Sequence, residues 1–183
     1  MQRSIGNWWL QKHEPRKALW FLDQAIRTDP NNFEAHNDRS LAFFDLNEPE
    51  SSARAASLAL KIRPDSATAT TNLANALADL GQHEQSLELY KRVLELNPAF
   101  PGYYVNLGTA LLHLNRPKEA VEQFEKELSR RPDYVEAHYR LAFALEQTGD
   151  KHGAIAHYRR VLQLRPGHQG AARALMALDR SGH

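Results

Sequence analysis

The sequence predicts an all-α fold, an α-α superhelix (solenoid) built from 34-residue helix-turn-helix repeats. A regular proline interval and a matching set of small residues predict it. Five of the nine prolines follow one another at intervals of 34 residues: Pro30, Pro64, Pro98, Pro132 and Pro166. Three more, Pro15, Pro49 and Pro117, share a second phase of the same interval. A fixed interval of this length is typical of repeat proteins.

Small residues recur in the frame that the prolines define. With Pro30 taken as position 32 of a repeat, positions 8 and 20 hold only Gly, Ala or Ser. Position 8 holds Gly6, Ser40, Ala74, Gly108 and Ala142, and position 20 holds Ala18, Ser52, Ser86, Ala120 and Ala154. Because small side chains let two helix backbones approach closely, these positions predict the contact between the two helices of each repeat.

The turn inside each repeat is predicted by position 15. Four of its five residues are Gly or Asn, which tolerate the left-handed conformation at a helix C-terminus. Pro15, Pro49 and Pro117 follow two residues later, where a helix can begin without a proline N–H. The proline at position 32 ends that second helix. In the third repeat we therefore expect helices over 68–80 and 84–96.

The interval divides the chain into a single array of five repeats and a capping helix. The predicted bounds are 1–32 for repeat 1, then 33–66, 67–100, 101–134 and 135–168, with a capping helix over 169–183. We expect the last repeat to be covered by Ala171, Ala172, Leu175, Met176 and Leu178. A stack of this kind buries a continuous core that no single repeat buries by itself.

These features together resemble the tetratricopeptide repeat family, whose repeat is 34 residues long. The resemblance covers nearly the whole chain. It departs from the family at position 4, often tryptophan there, which holds His36, Thr70, Tyr104 and His138. Arg39 replaces the usual leucine at position 7 of repeat 2. The resemblance implies that the first helix of each repeat lines the concave side of the superhelix, where family members hold their ligands.

Positions 2, 5, 6, 9, 12 and 13 of each first helix are left over from the apolar pattern. At about 100° per residue they occupy one contiguous arc of roughly 120°. We call this arc the first-helix face. Its polar candidates for a binding site are Asn72, Asn75, Asn106 and Arg140. An asparagine offers both a donor and an acceptor, so it suits a peptide unit of an extended chain.

The polar residues carry two more specific resemblances. Asn72 and Asn106 are similar in placement to the asparagine ladder of O-linked N-acetylglucosamine transferases. Asn75, Asn106 and Arg140 are similar to part of the carboxylate clamp of chaperone-binding repeat domains. The two lysines of that clamp are replaced here by Thr71 and Glu136. An alternative interpretation is that the asparagines bond to water or to neighbouring backbone.

Apolar residues also lie on the first-helix face. The candidates are Leu41, Phe44, Tyr139 and Phe143. Aromatic and aliphatic anchors in a groove are what peptide partners usually contact. The alternative is that these side chains pack between neighbouring first helices.

Composition excludes several functional classes. The net charge of +1 provides no field for nucleic acid, and the absence of cysteine removes thiolate chemistry and Cys-ligated zinc. No apolar run approaches the ~20 residues that span a bilayer. Phosphate-binding glycine loops, paired-histidine zinc helices and nucleophile elbows are absent from the sequence. We predict no catalytic residues, no metal and no cofactor. Four residues are predicted to form a solvated outer helix face: Glu122, Glu125, Lys126 and Glu127.

The sequence favours a non-enzymatic protein-interaction scaffold that holds an extended peptide or a partner helix in a concave groove. One alternative is a regulatory or substrate-guiding segment of a larger enzyme, such as a glycosyltransferase. Another is a self-assembling scaffold whose arrays associate through their ends. A soluble, cytoplasmic location is favoured over others, although a leader removed from a precursor, or a larger parent protein, fits the same sequence.

Overall fold

A computed structural model describes residues 1–100 and 102–180, and the described part contains eleven α-helices and no strand. The chain divides into two compact units, Met1–Phe100 (unit 1) and Pro101–His183 (unit 2). The boundary coincides with the predicted start of repeat 4. None of the described helices has the length and apolar character needed to cross a membrane.

Unit 1 consists of three stacked helix pairs. Its helices are α1 Gln2–Gln11, α2 Pro15–Thr28, α3 Phe33–Asp45, α4 Pro49–Ile62, α5 Ala67–Asp79 and α6 His83–Leu96. Each odd-numbered helix packs against the helix that follows it, and successive pairs contact each other. The helices of the third repeat begin and end within one residue of the predicted positions.

Unit 2 consists of two helix pairs and a final single helix. Its helices are α7 Tyr103–His113, α8 Pro117–Arg130, α9 Val135–Thr148, α10 Lys151–Leu164 and α11 Gln169–Arg180. Helix α11 packs against α10 and buries Ala171 and Leu178. Met176 was expected to join them but stays 63% exposed, so that expectation was wrong. Pro101 and residues 181–183 of the predicted repeat 4 and capping helix lie outside the described residues.

The turn inside each pair has the same geometry in all five repeats. The residue two positions before the second helix has a positive φ angle in every case: His13 56°, Asn47 57°, Gly81 74°, Asn115 56° and Gly149 89°. The next backbone N–H then donates back to a carbonyl five residues earlier, as from Gln82 to Leu77 at 2.8 Å. This is the Schellman ending of a helix.

The seam between paired helices is formed by the small residues. All residues at positions 8 and 20 are buried. A Cβ atom placed on Gly108 would lie 2.6 Å from Cε1 of Phe124, and one on Gly6 would lie 2.8 Å from Leu22. Where both positions carry serine, the Ser52 hydroxyl donates to the Ser40 carbonyl oxygen at 2.9 Å.

Glu127 contradicts the prediction of a solvated outer face on α8. Its side chain is buried, and the Nε of Arg131 donates to its carboxylate at 2.5 Å. The other three predicted residues, Glu122, Glu125 and Lys126, are exposed. The signal was present in the sequence, because Glu127 occupies position 27, where the other repeats carry alanine or valine.

Candidate functional site

In unit 1 the predicted apolar candidates are exposed. Leu41 and Phe44 lie on α3 and each is 40% exposed, so neither is needed by the core. Helix α3 contacts α5, which carries Asn72 and Asn75. The first-helix face of unit 1 therefore combines exposed apolar side chains with amides on two neighbouring helices.

Asn72 is half-buried and already has one partner. Its Nδ2 donates to Oδ1 of Asn37 at 3.0 Å. This bond joins neighbouring first helices and leaves one acceptor on Asn72 and donors on Asn37. The interpretation in which the asparagines bond to neighbouring groups thus has support at this position, through a side chain rather than backbone.

Asn75 is turned toward the second helix of its own repeat. The hydroxyl of Tyr90 on α6 donates to Oδ1 of Asn75 at 2.5 Å. Burial raises the pKa of Tyr90 to about 12, so this hydroxyl stays protonated and continues to donate at neutral pH. The amide nitrogen of Asn75 remains available as a donor.

A carboxylate on the same face, at the repeat position that holds Asn72 and Asn106 in later repeats, is buried. Asp38 is 6% exposed, and Nε of Arg3 donates to its Oδ2 at 2.9 Å. Nδ2 of Asn7 is a weaker donor to the same oxygen, at 3.5 Å. Burial raises the pKa of Asp38, and the Arg3 guanidinium opposes that shift. Like Asn37 and Asn72, Arg3 and Asp38 are 35 residues apart.

In unit 2 the first-helix face is less uniform. Phe143 is 43% exposed on α9. Arg140 is held by its own helix, because its Nε donates to Oε1 of Glu136 at 2.6 Å. Asn106 on α7 is half-buried, and its side chain has no hydrogen bond to another described residue.

Tyr139 belongs to the packing of the last repeat. Its ring centroid lies 5.8 Å from that of Tyr158 and 4.7 Å from that of His168. The side chain is half-buried, and it packs against the hydrophobic cluster that contains Ala154, Tyr158 and Ala171. For this residue the alternative of packing fits the structure better than an anchor for a ligand.

In unit 2, two potential metal ligands, a pair of histidines, lie within hydrogen-bonding distance of each other. Nδ1 of His138 and Nδ1 of His157 are 2.9 Å apart. Nε2 of His138 faces the carbonyl oxygen of Pro132 at 2.8 Å, so it carries the proton and donates. The His138 Nδ1 therefore accepts a hydrogen bond from His157. Within residues 1–100 and 102–180, no group of three His, Asp or Glu side chains is placed to hold a metal ion.

Comparison with solved structures shows the fold. The chain is similar to the crystal structure of MamA, with a TM-score of 0.77 and 21% identity over 88% of this chain and 95% of that chain. It is similar to MamA 41-end from Desulfovibrio magneticus RS-1, with a TM-score of 0.81 and 23% identity over 92% and 95%. A third structure is YrrB, described as a TPR protein with an unusual peptide-binding site, with a TM-score of 0.76 and 20% identity over 94% and 89%.

These similarities confirm the predicted all-α repeat fold. Comparison with curated protein sequences gives no match. The sequence matches the tetratricopeptide repeat family over residues 10–67, 71–134 and 114–169, which together include most of the chain. The regular prolines, the five equivalent turns and the small residues of the seam agree with this match, and the chain belongs to the tetratricopeptide repeat family.

Proposed function

We propose that the chain is a non-enzymatic scaffold that binds an extended peptide or a partner helix along its first-helix face. The observation that carries this proposal is the exposure of Leu41 and Phe44 on α3, a helix that also carries Asn37 and contacts the helix that carries Asn72. Exposed apolar anchors next to donors and acceptors are typical of peptide-binding surfaces. The peptide-binding site named for YrrB, which has the same fold, adds support.

Asn72 in unit 1 and Asn106 in unit 2 are the residues that we expect to pair with ligand backbone, each within its own unit. In unit 1, Asn72 keeps a free acceptor while it bonds to Asn37. In unit 2, the side chain of Asn106 makes no hydrogen bond to another described residue. Each hydrogen bond to a ligand contributes about 0.5–1.5 kcal/mol, so two of them give moderate affinity with little sequence preference.

The test is a double substitution on peptides selected from a displayed random library. Asn72→Ala combined with Asn106→Ala should weaken binding by about 1–3 kcal/mol, roughly five- to hundredfold, in a calorimetric titration. The melting temperature should fall by no more than a few degrees, because neither side chain is in the core. Asn31→Ala, in an exposed turn, is the matched control and should leave the affinity unchanged. Equal affinities for the wild type and the double variant would remove these amides from the site.

A further inference from the structure

The exposed apolar surface of unit 1 lies beside carboxylates. Arg3 pairs with Asp38, and Asn37 pairs with Asn72, in both cases across neighbouring first helices and 35 residues apart. Phe44 and Asp79 lie seven residues after Asn37 and Asn72 on the same two contacting helices, so the same offset predicts that Phe44 and Asp79 are neighbours. Asp45 follows Phe44 directly, and Leu41 precedes it by one helical turn.

Unit 1 contains two arginines that show which group fits such a combination. Nε of Arg39 is 2.9 Å from Oδ1 of Asp23, and its guanidinium carbon is 5.2 Å from the ring centroid of Phe43. In this case and in the one described next, a guanidinium contacts a phenyl ring and a carboxylate at the same time. A guanidinium is planar and weakly hydrated, so it can contact a ring with its face while its N–H groups pair with an anion.

In the second example the guanidinium lies closer to the ring. The guanidinium carbon of Arg63 is 3.9 Å from the ring centroid of Phe33, while Nη2 of Arg63 is 3.1 Å from Oε1 of Glu34. Here the ring and the carboxylate are adjacent in the sequence, as Phe44 and Asp45 are. Unit 1 therefore satisfies this arrangement twice with arginines of its own.

At Phe44 the same arrangement has no arginine. Among the residues of unit 1 that the structure describes, neither Asp45 nor Asp79 has an ion-pair partner, and no cation lies over the Phe44 ring. Partial burial raises the pKa of Asp79. Unit 1 has thirteen acidic and eleven basic side chains, so its net charge also favours a cationic ligand.

We propose that the surface formed by Phe44, Asp45 and Asp79 binds an arginine side chain of an extended partner segment, while Leu41 contacts an apolar side chain next to that arginine. This inference rests on the proposed function and specifies the ligand of the unit 1 part of the first-helix face. Lysine fits less well, because its ammonium group cannot lie flat on the ring and pair with a carboxylate in two places.

The experiment begins with selection of peptides from the displayed library on the full chain. Arginine next to an apolar residue should be enriched among the selected peptides. One selected peptide is then synthesised in two forms that differ by replacement of arginine with citrulline, which has the same shape and no charge. The citrulline form should bind roughly two- to thirtyfold more weakly in fluorescence anisotropy.

Matched variants of the protein locate the contact. Phe44→Leu keeps an apolar side chain but removes the ring, and Asp79→Asn removes a charge. Each variant should bind the arginine peptide more weakly than the wild type does, and should bind the citrulline peptide with nearly the same affinity as the wild type. Trp20→Leu and Asp65→Asn are controls at exposed positions away from this surface, and they should not alter either affinity.

The outcomes separate this inference from the proposed function. Peptides that lose affinity in the Asn72→Ala, Asn106→Ala protein but bind equally well with citrulline would overturn the arginine site and retain the groove. If the selected peptides bind the wild type and both sets of variants with equal affinity, the proposed function is overturned as well. Selected peptides without arginine, or self-association of the wild-type chain that Phe44→Leu abolishes in sedimentation, would show that another group occupies this surface.

Discussion

Gly108 shows how closely the two helices of one repeat approach. A Cβ atom at this position would lie 2.6 Å from the Phe124 ring, which is completely buried. The ring fills the space that the missing side chain leaves, so the glycine is required by packing rather than by its φ angle. Gly6 has the same relation to Leu22 in the first repeat.

We predict that Gly108→Ala destabilises the protein by about 1–3 kcal/mol, because the added methyl group displaces the Phe124 ring. The loss should exceed the gain of up to about 1 kcal/mol in helix propensity. Urea unfolding measures the change. Adding Phe124→Leu to Gly108→Ala should cost less than the two separate changes together, and strict additivity would contradict a direct contact.

A substitution at Leu107, which precedes Gly108 in the sequence, tests the assignment of positions within the repeat. It is 7% exposed, so Leu107→Ala should reduce the free energy of unfolding by about 2–5 kcal/mol. Leu58→Ala is the matched control, since Leu58 is 39% exposed and its truncation should cost well under the lower figure. Similar losses for the two variants in urea unfolding would argue against the assigned seam.

The sequence predicts which face a residue occupies more reliably than it predicts the partner of that residue. The interval placed Phe44 and Phe143 on an exposed face, and both are exposed. It could not show that Asn75 bonds to Tyr90 or that Tyr139 packs against His168, because these contacts depend on rotamers and on pairs of residues that do not recur together in the other repeats.

At the scale of the helix, the pair α9 and α10 is joined by the His138–His157 hydrogen bond. Burial lowers the pKa of His157, the neighbouring His138 lowers it further, and Asp150 opposes them. The folded protein therefore binds this proton less readily than the unfolded chain does. The free energy of unfolding therefore decreases as the pH falls from neutral through the ordinary histidine pKa of about 6.5, because the unfolded chain gains a proton at residue 157 before the folded protein does. The decrease levels off once the pH is below the lowered pKa of His157 in the folded protein.

We accordingly predict that His157→Gln makes the free energy of unfolding less sensitive to acidification. The measurement compares urea unfolding of wild type and variant at about pH 7.5 and about pH 5.5, on either side of the ordinary histidine pKa. His152→Gln, at an exposed position on the same helix, is the control and should keep the pH dependence of the wild type. An unchanged dependence in His157→Gln would mean that this histidine does not titrate differently on folding.

The bounds of the helices were predictable because their signals are local. Gly or Asn at the positive-φ position of four turns and the prolines at 15, 49 and 117 are visible in the sequence, and the structure places helix ends beside them. The buried Glu127 was predicted wrongly because its neighbours on α8 are charged, and local composition outweighed the repeat position. For this residue, the position within the repeat predicts burial better than the composition of the neighbouring residues does.

At the scale of the whole molecule, each helix contacts mainly its neighbours in the chain. Destabilisation in such an array should remain concentrated near the altered repeat. We predict that Leu107→Ala lowers amide hydrogen-exchange protection in α7, α8 and α9 more than in α1 and α2. A uniform loss of protection along the chain would indicate instead that all described repeats unfold in one step.

The 35-residue spacing of the contacts between first helices has a consequence for how this protein evolves. The charge of residue 38 can change without loss of stability only if residue 3 changes with it, because Asp38 is buried against Arg3. The amides at 37 and 72 are similarly coupled, although more weakly. Among homologous sequences, substitutions should therefore be correlated between residues 35 apart on the first helices, more strongly than between residues one repeat length apart. When a repeat is duplicated or lost, the new neighbours must restore both halves of such pairs, so insertion of whole repeats should be followed by compensating changes at these positions.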